Sequence, residues 1–75
     1  NMPMTNFSST YPNITYWTES CGWIEIGYDN NTDTFIRVLD EGGIVWESKP
    51  EYKSIDDALN DLESALGKII EEIGG

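Results

Sequence analysis

The sequence predicts an α+β domain, in which a three- or four-stranded antiparallel meander is followed by one C-terminal amphipathic helix packed on one face of the sheet (β-β-β-α). Two observations carry this prediction. Between residues 23 and 47, short runs of β-branched and aromatic residues are separated by typical turn residues. Between residues 55 and 73, apolar residues recur at the spacing of one helix face, at positions 55, 58, 59, 62, 65, 66, 69, 70 and 73. That single apolar stripe has to pack on whatever the preceding residues build.

The N-terminal residues carry the weakest structural signal. Residues 1–12 are polar, uncharged and contain two prolines, which is typical of a flexible or draped arm. Residues 13–17 could form a short first strand, followed by turn residues. We therefore expect an N-terminal arm over residues 1–12 and a single α+β domain over residues 13–75.

Three further strands and one helix follow in order. Strand-forming residues occur at about 23–28, 34–39 and 44–47, separated by Asp29–Asp33 and by Asp40–Gly43, whose residues favour turns. A helix over 55–73 is predicted from Ser54 as its N-cap, with Asp57 three residues later, and from two closing glycines.

The predicted sheet has two apolar faces. If Glu25 pairs with Arg37 and Leu39 with Ile44, one face contains Ile24, Ile26, Ile36, Val38 and Val45, and the helix covers it. The opposite face then forms a candidate interface made of Trp23, Phe35, Arg37, Leu39, Ile44 and Trp46, together with Glu25. One amphipathic helix cannot cover both faces. The second face is therefore closed by the N-terminal arm, through Phe7, Tyr11, Tyr16 and Trp17, or by another chain, or it forms a ligand groove. A register slip of one residue would exchange the two faces.

Composition restricts the partners that we expect. Fourteen acidic and four basic residues in a chain of 75 give a formal net charge of −10, which opposes direct binding to nucleic acid or to an anionic membrane. The sequence has no apolar run long enough to span a membrane, and its first residues lack the pattern of a signal peptide. Cys21 is the only cysteine, so it cannot form an internal disulfide, and a reducing cytoplasmic setting fits it. So small a core favours oligomerisation.

No motif predicts catalysis. The paired carboxylates fall in turns or on the solvent face of the helix, and the acidic turn Asp29–Asp33 lacks the glycine and distal glutamate of an EF-hand. The chain has no histidine that could activate Cys21 or complete a zinc site. Arg37 is explained by an ion pair with Glu25 or by stacking on Trp46, and alternatively by a role as an anchor for carboxylate or phosphate. We expect no catalytic residue, no metal and no cofactor.

Two segments resemble known proteins. The segment Arg37–Glu47 followed by Ser54–Leu59 resembles small uncharacterised bacterial proteins of about this length. The segment from Ser54 through Ala58 and Leu59 to Ala65 and Leu66 is similar to the helix after the sheet in HicB-type antitoxins. That second resemblance implies a β-β-β-α unit of double-stranded-RNA-binding-domain type that neutralises a small toxin by protein contact. The chain departs from the antitoxin pattern, since it has no Pro-Asp-Leu-Pro-Gly-type segment and no C-terminal DNA-binding element.

The sequence thus predicts a small, acidic, cytoplasmic protein-interaction module without enzymatic activity, which acts as a homodimer or binds another protein. The alternative is an acidic inhibitor, antitoxin-like or imitating nucleic acid, that occludes a basic partner. A self-contained dimer would bury the aromatic face, whereas a mimic of nucleic acid would present its acids as a continuous stripe.

Overall fold

The computed structural model describes residues 3–74 and confirms the α+β class with its β-β-β-α arrangement. Two short helices precede the sheet. The strands form a three-stranded antiparallel sheet in the order β1-β2-β3. The elements are α1 (Pro3–Thr10), α2 (Pro12–Ser20), β1 (Trp23–Ile26), β2 (Ile36–Asp40), β3 (Gly43–Glu47) and α3 (Ile55–Glu72).

The N-terminal prediction was wrong. Residues 3–10 of the expected arm form α1, and the expected strand at 13–17 lies inside α2, while residues 1–2 lie outside the described part. Proline is compatible with the first turn of a helix, where its missing N–H has no partner to lose, and Pro12 begins α2. Ile14 and Trp17, three residues apart, share one face of α2 and are both buried. Tertiary packing of this face therefore stabilises a helix, although the local sequence favours a strand.

Helix α3 begins and ends almost where the sequence predicts. The Ser54 hydroxyl accepts a hydrogen bond from the Asp57 amide at 3.1 Å, which caps the first turn. Ala58, Leu62 and Leu66 recur every four residues and are the buried residues of this helix. Gly74, at a φ of 122°, follows the end of the helix in a conformation that favours glycine.

The core lies between the sheet and a layer made of α2 and α3. It consists of Ile14, Trp17, Ile36, Val38, Ala58, Leu62 and Leu66. Trp17 is 2% exposed, and its indole N–H donates to the Leu39 carbonyl at 3.1 Å, so the one polar atom of this side chain is satisfied. Two helices therefore cover the inner face of the sheet where one was expected.

A carboxylate of α3 holds the start of α2. The two oxygens of Glu63 accept hydrogen bonds from the amides of Asn13 and Ile14, at 2.8 and 3.0 Å. Both amides belong to the first turn of α2, where helical N–H groups have no partner within the helix. Gly67, in mid-helix, lies where α2 approaches α3 closely, because a Cβ there would lie 3.0 Å from the side-chain nitrogen of Asn13.

A bulge changes the predicted faces of β3. Glu25 pairs with Arg37 and Leu39 with Ile44, as the sequence predicts, but Val38 pairs with Trp46. Val45 is therefore the extra residue of a β-bulge. The assignment of Trp46 to the face opposite the helices, and of Val45 to the helix side, was wrong for this reason, since Trp46 shares the side of Val38.

No helix within residues 3–74 combines the length and the apolar character needed to cross a membrane.

Candidate interaction surface on the outer sheet face

Three apolar side chains form a line across the face of the sheet that points away from the helices. Trp23 pairs with Leu39, and Leu39 pairs with Ile44, so the three residues lie directly opposite one another on the three strands. Their neighbours Ile24 and Val38 contact the core, which places these three on the other side. Trp23 is 46% exposed, Ile44 is 51% exposed and Leu39 is half-buried. We call Trp23, Leu39 and Ile44 the outer row.

Arg37 lies on the same face and is buried under the β1–β2 connection. Its side chain is 5% exposed, and its Nε donates to Oε1 of Glu25 at 3.2 Å. Its two terminal nitrogens donate to the carbonyls of Thr34 and Gly27, both at 2.8 Å. The guanidinium thus fastens residues 27–35 over this half of the sheet. The ion pair with Glu25 explains Arg37, and the described contacts leave it no open approach for a carboxylate or phosphate ligand.

Phe35 lies outside the outer row. It directly precedes β2, and its ring centroid lies 5.2 Å from that of Tyr28 and 6.3 Å from that of Tyr52. Tyr28 in turn donates its hydroxyl to the Pro50 carbonyl at 2.5 Å. Phe35 is therefore part of an aromatic cluster that fixes the strand ends and the β3–α3 linker, and it packs against the core.

Trp46 lines a separate groove between β3 and α3. The groove has a volume of about 280 Å³, and Ala65, Lys68 and Ile69 of α3 form part of its wall. Of the six residues predicted as an interface, the structure therefore brings together Trp23, Leu39 and Ile44. Arg37 lies beside them under the connection, and Phe35 and Trp46 lie elsewhere.

The four N-terminal aromatic residues expected to close the outer row do not do so in the described part of the chain. Trp17 belongs to the core on the opposite side, and Tyr11 packs against that core. Phe7 and Tyr16 remain 48% and 50% exposed. Closure by Phe7, Tyr11, Tyr16 and Trp17 is therefore contradicted, and a second chain or a ligand stays a prediction.

A second groove lies between the β3–α3 linker and α3. Its volume is about 790 Å³, and it is lined by Lys49, Glu51, Tyr52, Lys53, Asp57, Asn60 and Asp61. The Tyr52 hydroxyl donates to Oδ2 of Asp61 at 2.5 Å, and Nζ of Lys49 lies 4.9 Å from the centre of the Tyr52 ring. Burial and the hydrogen bond to Asp61 raise the pKa of Tyr52. These contacts fasten the linker to α3. Sequence reasoning missed them because the linker has no periodic pattern.

The acidic turn after β1 is a structural turn. Oδ1 of Asp29 accepts the amides of Asn31 and Thr32 at 2.8 and 2.9 Å, and these hydrogen bonds lower the pKa of Asp29. Across the described residues, no group of three or more histidine, cysteine, aspartate or glutamate side chains is placed to hold a metal ion.

Few cations remain on the exposed surface. Arg37 is buried, so within the described chain Lys49, Lys53 and Lys68 are the exposed cations. The exposed acids of α3 fall into two groups, Asp56–Asp57 at the start of the helix and Glu71–Glu72 at its end. The exposed acids of α3 therefore do not form a continuous stripe along this helix.

Comparison of the chain with protein-family models, curated proteins and solved structures found no match. The resemblance to HicB-type antitoxins therefore stays a prediction.

Proposed function

We propose that this chain is a non-enzymatic protein-interaction module that acts as a homodimer through its outer row. The observation that supports this is a line of three apolar side chains, two of them about half exposed, on a sheet face that no described helix covers. A twofold contact presents the same patch on both subunits, so each outer row would pack on its copy. A tryptophan at such a contact typically dominates its energy.

The size of the outer row sets the strength of this contact. Complete burial of a large apolar side chain is worth about 1.5–3 kcal/mol, so the half-exposed Trp23 and Ile44 offer roughly 1 kcal/mol each. Two copies together gain about 4 kcal/mol before the cost of association is subtracted. The outer row alone therefore supports a weak dimer, and a stable assembly needs additional contacts.

The test is a charge placed in the outer row. Trp23→Glu would bury an unpaired carboxylate in the contact and should abolish it, so that sedimentation velocity detects smaller assemblies than for the unmodified protein. Tyr16→Glu is the matched control, because Tyr16 is an aromatic residue of similar exposure, 50% against 46%, on α2. Equal assembly of the two variants would refute the proposed contact.

A second candidate function is an acidic inhibitor that occludes a basic partner. The burial of Arg37 favours it, since this removes one of four cations from the surface of a chain with a net charge of −10. Binding of this kind weakens as salt is raised. Affinity for a basic partner that is unchanged between low and high salt would exclude this function.

A further inference from the structure

The free edge of β1 exposes backbone groups that have no partner within the described chain. The Gly27 amide donates to the Phe35 carbonyl at 2.7 Å, which makes this pair a hydrogen-bonded one. Hydrogen-bonded and non-bonded pairs alternate in an antiparallel ladder. Glu25 and Trp23 therefore bond towards β2, and the N–H and C=O groups of Ile24 and Ile26 point away from the sheet.

The two edges of the sheet differ. On β3, Val45 forms a bulge, and a bulge distorts an edge and hinders pairing with another strand. The β1–β2 ladder is regular through all four of its pairs. Ile26, whose backbone faces the β1 edge, also has a side chain that is 51% exposed. The β1 edge is thus the one suited to accept a further strand.

We infer that the β1 edge binds β1 of a second copy of this chain in antiparallel orientation, with the twofold axis at Glu25. In this register Ile24 lies opposite Ile26 of the partner subunit, and Ile26 lies opposite Ile24 of the partner subunit. The outward groups of both residues then find partners in both chains, giving four hydrogen bonds. The exposed Ile26 gains an isoleucine as its cross-strand neighbour.

Self-pairing is supported by the symmetry of the edge, and the one charged residue of β1, Glu25, is neutralised within its own chain. The outward groups are separated by one residue, so the strand is complementary to itself when it is turned about that residue. The two Glu25 carboxylates would meet across the axis, but each already pairs with its own Arg37. A second copy offers outward groups at the same spacing and two isoleucines as cross-strand neighbours, so it satisfies this edge without any further component.

The edge contact also adds buried interface area, of which the outer row alone offers too little. A standard interface buries about 800 Å² on each partner, which is more than three side chains offer. Strand pairing about an axis perpendicular to the sheet keeps both outer rows on one face of a six-stranded sheet. The two outer rows on that face can then pack on the two outer rows of a second six-stranded sheet. A chain that makes both the edge contact and the outer-row contact therefore assembles beyond a dimer. This part of the inference rests on the proposed function, whereas the edge contact itself does not.

The experiment compares three variants by sedimentation velocity. Ile26→Pro removes the outward N–H, a change that edge strands tolerate, and Ile26→Thr is its control with the N–H retained. We expect unmodified protein and Ile26→Thr to form assemblies of four chains at high concentration, Ile26→Pro to stop at two, and Trp23→Glu to stop at two. Ile26→Pro that assembles like the unmodified protein overturns the edge contact and leaves the outer row standing. Trp23→Glu that assembles like the unmodified protein overturns the outer row and leaves the edge standing. A monomer at all concentrations overturns both.

Hydrogen exchange on the unmodified protein tests the edge without any substitution. The amides of Ile24 and Ile26 should exchange at least about tenfold more slowly at high than at low protein concentration. Exchange at the same rate over the whole concentration range, in a protein that does assemble, overturns the edge contact.

Discussion

Leu62→Ala should bring the domain close to unfolding. Leu62 is completely buried in the core between α3 and the sheet, together with Trp17 of α2 and Val38 of β2. Removing a buried leucine side chain costs about 2–5 kcal/mol, and the cost is higher where the surroundings cannot collapse into the cavity. Neighbours from two helices and a strand hold this site open, so we expect the upper half of that range. A chain of 75 residues has a total stability of roughly 4–11 kcal/mol.

Urea denaturation followed by circular dichroism measures the effect. At about 1–1.5 kcal/mol per molar urea for so small a domain, the midpoint should fall by at least about 2 M. Leu59→Ala is the matched control, because Leu59 lies on the same helix and is only half-buried. If both variants shift the midpoint equally, or if Leu62→Ala does not shift it, the assigned core face of α3 is wrong.

Three further substitutions test contacts that fasten the fold. Glu63→Ala removes the acceptor of the Asn13 and Ile14 amides and should lower the free energy of unfolding by about 1–3 kcal/mol. Glu63→Gln keeps one acceptor oxygen and should cause a smaller loss. Equal losses for the two variants would contradict a role for the carboxylate. Ser48→Ala leaves the buried Ile36 amide without its 2.8 Å acceptor and should cost about 1–3 kcal/mol in the same assay, and an unchanged midpoint would contradict this. The raised pKa of Tyr52 means that its contribution to stability is complete below its ordinary pKa of 10.0 and is lost as the pH rises through the raised value. The stability difference between unmodified protein and Tyr52→Phe should therefore shrink between pH 8 and pH 11, and a constant difference would contradict the assignment.

The C-terminal half of the fold is predictable because its signals are local. The stripe of α3, its Ser54 cap and the pairing of Glu25 with Arg37 all follow from periodicity or from turn chemistry. The N-terminal helices are not predictable in this way. The stability of α2 comes from Trp17 in the core and from the Glu63 carboxylate some fifty residues later, and neither contact is visible in the residues of α2 themselves.

Strand geometry explains which of the six predicted interface residues lie together. Trp23, Leu39 and Ile44 lie together because the period of a regular strand places them on one face. Trp46 does not join them, because one extra residue in β3 reverses every side chain beyond it and no sequence signal marks that bulge. Phe35 and Arg37 do not belong to the outer row, because they contact the β1–β2 connection and the β3–α3 linker. The paths of these two segments depend on individual hydrogen bonds.

The proposed contact through the outer row is tested most directly by mapping which nuclei respond when the protein is diluted. Heteronuclear NMR spectra recorded from high to low concentration should show changes at the Trp23 indole and at the methyl groups of Leu39 and Ile44. The Trp17 indole, which is buried in the core, and the ring of Tyr16, on α2, should not change. Changes confined to the helical layer, or spectra that are identical at every concentration, would contradict self-association through the outer row.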